Sequence, residues 1–196
     1  MSHHIYTTPA MVLASAPSRE ADRSYTLFTP QLGIVWATAQ GIRREVSKLR
    51  YALQEFSVLS VSLVRGKEHW RITNASADTN IFWQQRTNRP FVEAIARIFR
   101  LLIRLVPGEE KSEQLYVEIL AALHFARGIE FSDVAAAAFE HIVVLRILYN
   151  LGYSSAGDDL KLFLTDSWSQ DLIVAAQKKR RSLVTTINFS LHQSQL

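Results

Sequence analysis

Val58-Leu59-Ser60-Val61-Ser62-Leu63-Val64 alternates apolar and polar side chains, the period of a half-buried β-strand. Similar short runs surround it. Met11-Val12-Leu13 follows a Thr-Pro pair, and Tyr25-Thr26-Leu27-Phe28-Thr29 follows a charged loop, Ser18 to Arg23. Pro30 to Gly33 reads as a turn. Ile34-Val35-Trp36-Ala37-Thr38-Ala39 then runs to Gly41. Arg65-Gly66-Lys67 is placed to turn the chain from the strand at 58–64 into His69-Trp70-Arg71-Ile72-Thr73. Five short strands in fewer than 80 residues predict a small barrel. The OB-fold is a five-stranded barrel of this size, and an SH3-like barrel fits the pattern nearly as well.

From residue 79 the period becomes helical. Pro90 suits the first turn of a helix through Leu105, which Val106-Pro107-Gly108 stops. Glu109-Glu110 is expected to open a second helix, acidic at its start as the dipole prefers, ending at Ala126 with Gly128 beyond. Ser132 can cap a third, running to Leu151 and Gly152. Tyr153 to Ser167 reads as irregular, and a fourth helix is expected around Gln170 to Leu183 or beyond. The predicted class is therefore α+β in two domains: a five-stranded OB-fold barrel over 1–78 and an all-helical domain over 79–196. The boundary is expected in the polar stretch Ser76 to Asn80.

Composition narrows the chemistry. The chain has 196 residues and is 48% hydrophobic, with ten Phe, six Tyr and four Trp for its cores. It has no cysteine, which excludes disulfides and thiolate metal sites. The richest apolar run, Ile95 to Val106, is broken by Arg97, Arg100 and Arg104, so no membrane helix is expected. The first residues carry no signal-peptide pattern, and a cytoplasmic location is the expectation.

The net charge of +4 is unevenly placed. Residues 1–77 hold nine Lys/Arg against five Asp/Glu, whereas residues 78–196 hold thirteen of each. A basic module joined to a neutral one points to an anionic partner for the first. Arg43, Arg44, Lys48 and Arg50 place four cations within eight residues between predicted strands. Arg65, Lys67 and Arg71 extend the charge around the next hairpin. Such side chains on barrel loops can track a phosphate backbone, although basic turns also serve solubility. Trp36, Trp70 and Tyr51 are candidates for base stacking, with core packing as the alternative. In the helical part, Arg97, Arg100 and Arg104 recur at i, i+3 and i+7 along one side of a helix. Lys178-Lys179-Arg180-Arg181 forms a denser run, which also complements a helix dipole. Both runs read equally as solvated faces.

No nucleophile–base signature, metalloprotease helix or glycine-rich phosphate loop is present, so no catalysis is expected. His124 and His141 lie on apolar helices and read as core or boundary histidines. Asp158-Asp159 reads as a solvated loop before a cation site.

The N-terminal string is specific enough to carry a family resemblance. Glu20-Ala21-Asp22-Arg23, Thr26-Leu27-Phe28-Thr29, Gly33, Gly41-Ile42-Arg43-Arg44, Ser47-Lys48-Leu49-Arg50 and Leu53-Gln54-Glu55-Phe56-Ser57 resemble, in order and spacing, the opening of RecO proteins. Phe139-Glu140 to Leu145, Leu148 and Leu151-Gly152-Tyr153 resemble a later helix of that family. Ile187-Asn188, Leu191 and Ser194-Gln195-Leu196 resemble its common ending. The resemblance implies an OB-fold followed by helices, without catalysis. It implies binding of single- and double-stranded DNA, strand annealing, and work with RecR and with the acidic C-terminal tail of the single-strand DNA-binding protein, so that RecA is loaded indirectly. Many relatives place four cysteines after the Leu-Gly-Tyr motif as a zinc module. Residues 154–168 stand there without one, so no zinc and no other cofactor is expected. An apolar groove with a cation beside it is needed for such a tail, sought first near Arg97 to Arg104 or Arg127. The alternatives are an OB-fold RNA-binding accessory protein and an interaction protein whose basic patches are only solvated surface.

Overall fold

The computed structural model describes residues 4–44, 47–66, 69–154 and 157–193. They form two compact units. One holds the residues through Gln84 together with Ile103–Tyr116, and the other holds Gln85–Leu102 together with those from Val117 on.

The first unit is a barrel of β1 (Ile5–Pro17), β2 (Arg23–Thr29), β3 (Gly33–Ala39), β4 (Ser57–Arg65) and β5 (Trp70–Asn80). The strand order is β1-β2-β3-β5-β4, closed by pairing of β4 with β1. Only β3 and β5 run parallel, through Ala37–Trp70 and Thr38–Arg71. This is the order of an OB-fold, and it decides between the two barrels that the strand pattern allowed. Alternation sends Val12, Leu27, Val35, Leu59, Val61 and Leu63 into one core with Trp70 and Ile72. Short helix α1 (Leu49–Ala52) lies between β3 and β4, and α2 (Ile81–Gln85) follows β5.

Residues 106–112 are fastened to this barrel. Ile34 N–H donates to Pro107 O at 3.3 Å, and Ser112 N–H donates to Pro30 O at 2.9 Å. Gly33 makes the approach possible: its φ is +55°, and a Cβ there would stand 2.6 Å from Pro107 O and 2.7 Å from Glu110 O. A side chain at this position would meet rigid backbone as well as backbone strain.

The second unit is built around α5 (Asp133–Asn150), whose Ser132 cap accepts from Ala135 N–H at 3.3 Å. The helix is apolar nearly all round and accordingly buried through most of its length. It packs against α6 (Lys161–Thr165), α7 (Gln170–Lys178) and α8 (Arg180–Gln193). Phe91, from α3 (Arg89–Leu105), stacks on Phe131 at 5.2 Å, and Phe139 meets Trp168 at 5.2 Å. One cation sits in this apolar setting. Arg146 is 4% exposed. Its guanidinium donates to Phe163 O at 2.6 Å, Asp166 O at 2.6 Å and Glu118 Oε1 at 2.5 Å, and lies 4.6 Å from the Trp168 ring centroid. It thereby ties the segment lacking cysteines to α5 and to α4 (Glu113–Phe125).

Four expectations are corrected. The last strand does not end at Thr73: it runs on through the polar stretch Ser76 to Asn80, whose backbone pairs with Ser57–Ser60. Glu109-Glu110 does not open the second helix, which begins at Glu113. Glu109 takes φ +61° and spends its carboxylate on Arg65 and Trp70. Tyr153 to Ser167 is not wholly irregular, since a 3₁₀ turn at Asp158–Leu160 leads into α6. The last helix is two, capped by Ser169 and broken at Lys179.

Candidate nucleic-acid interface

The turn between β1 and β2 and the basic loop after β3 are tied together. Gly41 N–H donates to Asp22 Oδ1 at 2.8 Å, Arg43 N–H to Ala21 O at 3.1 Å, and Arg43 Nη1 to Glu20 O at 3.1 Å. Arg23 does not close its own turn by pairing with Glu20 or Asp22. Its Nη2 reaches Ser15 Oγ at 3.0 Å instead, because it points from β2 across to β1. Ser15 in turn donates to Glu55 through both N–H and Oγ. The loop cations are thus displayed from a braced platform.

Two clefts flank this brace, both in the barrel unit. The larger, about 620 Å³, lies between the 18–22 turn and the β4–β5 hairpin, with Arg19, Arg65, His69 and Arg71 in its walls and Asp22 as the opposing charge. The smaller, about 360 Å³, is lined by Arg23, Arg43, Arg50 and Gln54, with Glu55 as the carboxylate. The 15–23 segment contributes to both. Arg44 and Lys48 are exposed and, among the described residues, take no ion-pair partner. Lys67 lies outside the described residues. Arg71 projects outward from β5. Arg65 is already engaged: Nη1 donates to Glu109 Oε2 at 2.7 Å, and its guanidinium lies 5.1 Å from the Trp70 ring. Glu109 also accepts from Trp70 Nε1 at 3.2 Å. The Arg65 hydrogen bond is the main reason the Glu109 carboxyl is held below its ordinary value. A carboxylate therefore stands beside Arg65, where a phosphate oxygen would have to bind.

The aromatic candidates separate. Trp70 is 5% exposed and belongs to the barrel core, whereas Trp36 is 56% and Tyr51 69% exposed. Trp36 lies on the outer face of β3, two residues from the cleft-lining Thr38.

The remaining cations are dispersed. Arg97 and Arg100 belong to the helical unit and Arg104 to the barrel unit. Arg97 is gripped at both ends by Glu140, at 2.8 and 2.7 Å, while Arg100 and Arg104 are exposed. Lys178 and Arg181 are exposed, and Lys179 donates to Asp159 O at 2.9 Å. Arg180 lines a groove of about 250 Å³ together with Asp133, Val134, Ala137, Ala138, His141 and Ala176, so that one carboxylate shares the groove with the cation. His141 is half-buried there. Burial, reinforced by Arg180 and opposed by Glu140, lowers its pKa, and its buried Nδ1 has no hydrogen-bond partner among the described residues. No helix among the described residues is long and apolar enough to cross a membrane.

Sequence reasoning passed over Arg19, Glu109 and the exposed pair Phe82 and Trp83. Arg19 had a signal, since it lies in the charged 18–23 turn.

Residues 1–79 match the family model described as "Recombination protein O N terminal". The chain is 30% identical over 156 residues to "DNA repair protein RecO" of Desulforamulus reducens, covering 80% of this chain and 57% of that protein. It is 26% identical over 137 residues to the protein of that name from Dehalococcoides mccartyi, covering 70% and 54%. A third such protein, from Pelotomaculum thermopropionicum, is 27% identical over 150 residues, covering 76% and 56%. The matched region thus spans little more than half the length of these curated relatives.

Proposed function

As the chain belongs to the RecO family, we propose that it is a non-catalytic DNA-binding protein of recombinational repair, which anneals complementary strands and helps load RecA onto coated single strands. The observation that carries this reading is the braced basic loop, of which Arg43 and Arg50 line a barrel cleft while Arg44 and Lys48 are exposed. Phosphates along a strand would be neutralised by this loop, helped by Arg65, Lys67 and Arg71. Lowering the repulsion between two strands promotes pairing without a nucleotide cofactor. Arg97, Arg100 and Arg104, with Lys178, Lys179, Arg180 and Arg181, supply further DNA contacts, of which Arg97 and Lys179 must first exchange a protein partner.

The proposed partners are single- and double-stranded DNA, RecR and the acidic tail of the single-strand DNA-binding protein. For a tail that ends in an apolar residue, the groove beside Arg180 offers apolar walls with a cation at the rim. It fits better than the neighbourhood of Arg97, whose charge Glu140 already holds.

Binding to single strands should weaken with salt at a log–log slope of about −0.7 per phosphate contacted. Replacing Arg43, Arg44, Lys48 and Arg50 together by Ala should flatten that slope by roughly 2 to 3. An unchanged slope removes the loop from the interface. A preference for RNA over DNA of the same sequence would instead favour an OB-fold RNA-binding accessory protein.

A further inference from the structure

We propose that Trp83, with Phe82 and Tyr51, forms a stacking platform for unpaired nucleobases beside the basic cleft of the barrel unit. The inference rests on the DNA-binding reading and adds to it a means of telling single strands from duplex.

Phe82 and Trp83 are 37% and 54% exposed, and Tyr51, 69% exposed, stands three residues before Gln54, the hydrogen-bond partner of the Trp83 indole. Scattered apolar side chains are ordinary on a surface, but clustered exposed aromatics mark contact sites. Phe82 and Trp83 meet edge to face at 5.5 Å, and Phe56 lies 6.2 Å from Phe82.

The plate is fixed in place before any ligand arrives. Trp83 N–H donates to Asn80 Oδ1 at 3.1 Å, and Asn80 Nδ2 donates to Glu55 O and Ser57 Oγ, both at 2.9 Å. Trp83 Nε1 donates to Gln54 Oε1 at 2.6 Å, which fixes the indole by its edge. Phe56 adopts φ +67°, a conformation costly for a bulky side chain. It is held there by donation to Val12 O and acceptance from Ile81 N–H.

Charge decides what the platform suits. Gln54, the partner of the indole, also lines the cleft of Arg43 and Arg50, and the Arg50 guanidinium lies 5.6 Å from the Tyr51 ring. Cations for a backbone and π-surfaces for its bases therefore share one neighbourhood. That pairing is how barrels of this type hold single strands without reading sequence. In a duplex the base faces are stacked on one another and out of reach, so the platform acts on single strands only.

The test compares the intact protein with Trp83→Ala and Trp83→Phe on three probes: oligothymidylate, a duplex of equal length, and an abasic strand with the same phosphate spacing. Trp83→Ala should weaken oligothymidylate binding about five- to hundredfold with its salt slope unchanged. Trp83→Phe, which keeps a π-surface but loses the Gln54 bond, should recover most of the affinity. Duplex and abasic binding should be the same for all three proteins. The proposal is overturned if Trp83→Ala binds oligothymidylate normally, as it would for a surface made for a protein segment, or if all three probes weaken alike, as they would for a folding defect. Should the intact protein bind no probe in a salt-dependent way, the DNA-binding reading fails and takes the platform with it.

Discussion

Replacing Arg146 by Met should destabilise the helical unit by about 3–5 kcal/mol. The guanidinium is 4% exposed and donates to two backbone carbonyls, Phe163 O and Asp166 O, and to the Glu118 carboxylate. Methionine matches much of its length but donates nothing. Each carbonyl left without a donor costs about 1–3 kcal/mol, and breaking a buried ion pair by removing one partner about 3–5 kcal/mol. The contributions do not add, because the desolvation cost of the guanidinium disappears with it. The Glu118 side chain, 25% exposed, can also recruit water. Glu118→Gln keeps an acceptor for both Arg146 and Trp168 Nε1, so it should cost only about 1–2 kcal/mol, and nothing further once Arg146 is Met. Urea unfolding followed by far-ultraviolet circular dichroism gives the energies, and limited proteolysis with cut-site mapping reports on residues 157–168. A loss under about 1 kcal/mol, with the segment still resistant to protease, would refute the claim that one guanidinium organises it.

Two further outcomes follow from the geometry. Glu109→Gln removes the charge that competes for Arg65, so single-strand affinity should rise a few-fold and the salt slope should steepen by up to about 0.7, read by fluorescence anisotropy across a salt series. Equal or weaker binding would take Arg65 out of the phosphate path. His141 is held below its ordinary 6.5, so the unfolded chain gains a proton there before the folded one does. Its contribution is intact above about pH 6.5 and is lost as pH falls through the depressed value. The urea midpoint should therefore fall less steeply from about pH 8 to about pH 5 in His141→Gln than in the parent, and parallel curves would refute the assignment.

Much of the barrel was legible because strand alternation is local. Residues 58–64 announce themselves, and Gly66 marks the point where β4 gives way to β5. The far half of β5 was not legible. From Thr73 to Thr79 its side chains are mostly polar, with no regular apolar alternation, so only the pairing with β4 makes it strand. Glu109-Glu110 looked like a helix start because acidic residues favour one. The residues that use Glu109 lie about 40 positions away in the chain, beyond any local pattern. The pairing of Arg97 with Glu140, 43 residues on, was hidden for the same reason, and so was the role of Arg146 within an apolar helix. The cations of the basic loop were visible in the sequence. The brace that presents them was not, since it joins Asp22 to Gly41 and Ala21 to Arg43.

Closure of the barrel has a consequence for how this protein can meet others. Each of its five strands has a neighbour on both sides, but not along its whole length: β5 meets β3 only at Trp70 and Arg71, and β1 pairs with β4 up to Met11 and with β2 from Met11 on. A visiting polypeptide can continue the sheet only along those unpaired stretches, and any other association goes through side chains displayed by loops, helices and strand faces. Such contacts are separable: a single surface substitution can abolish one association and leave the others standing.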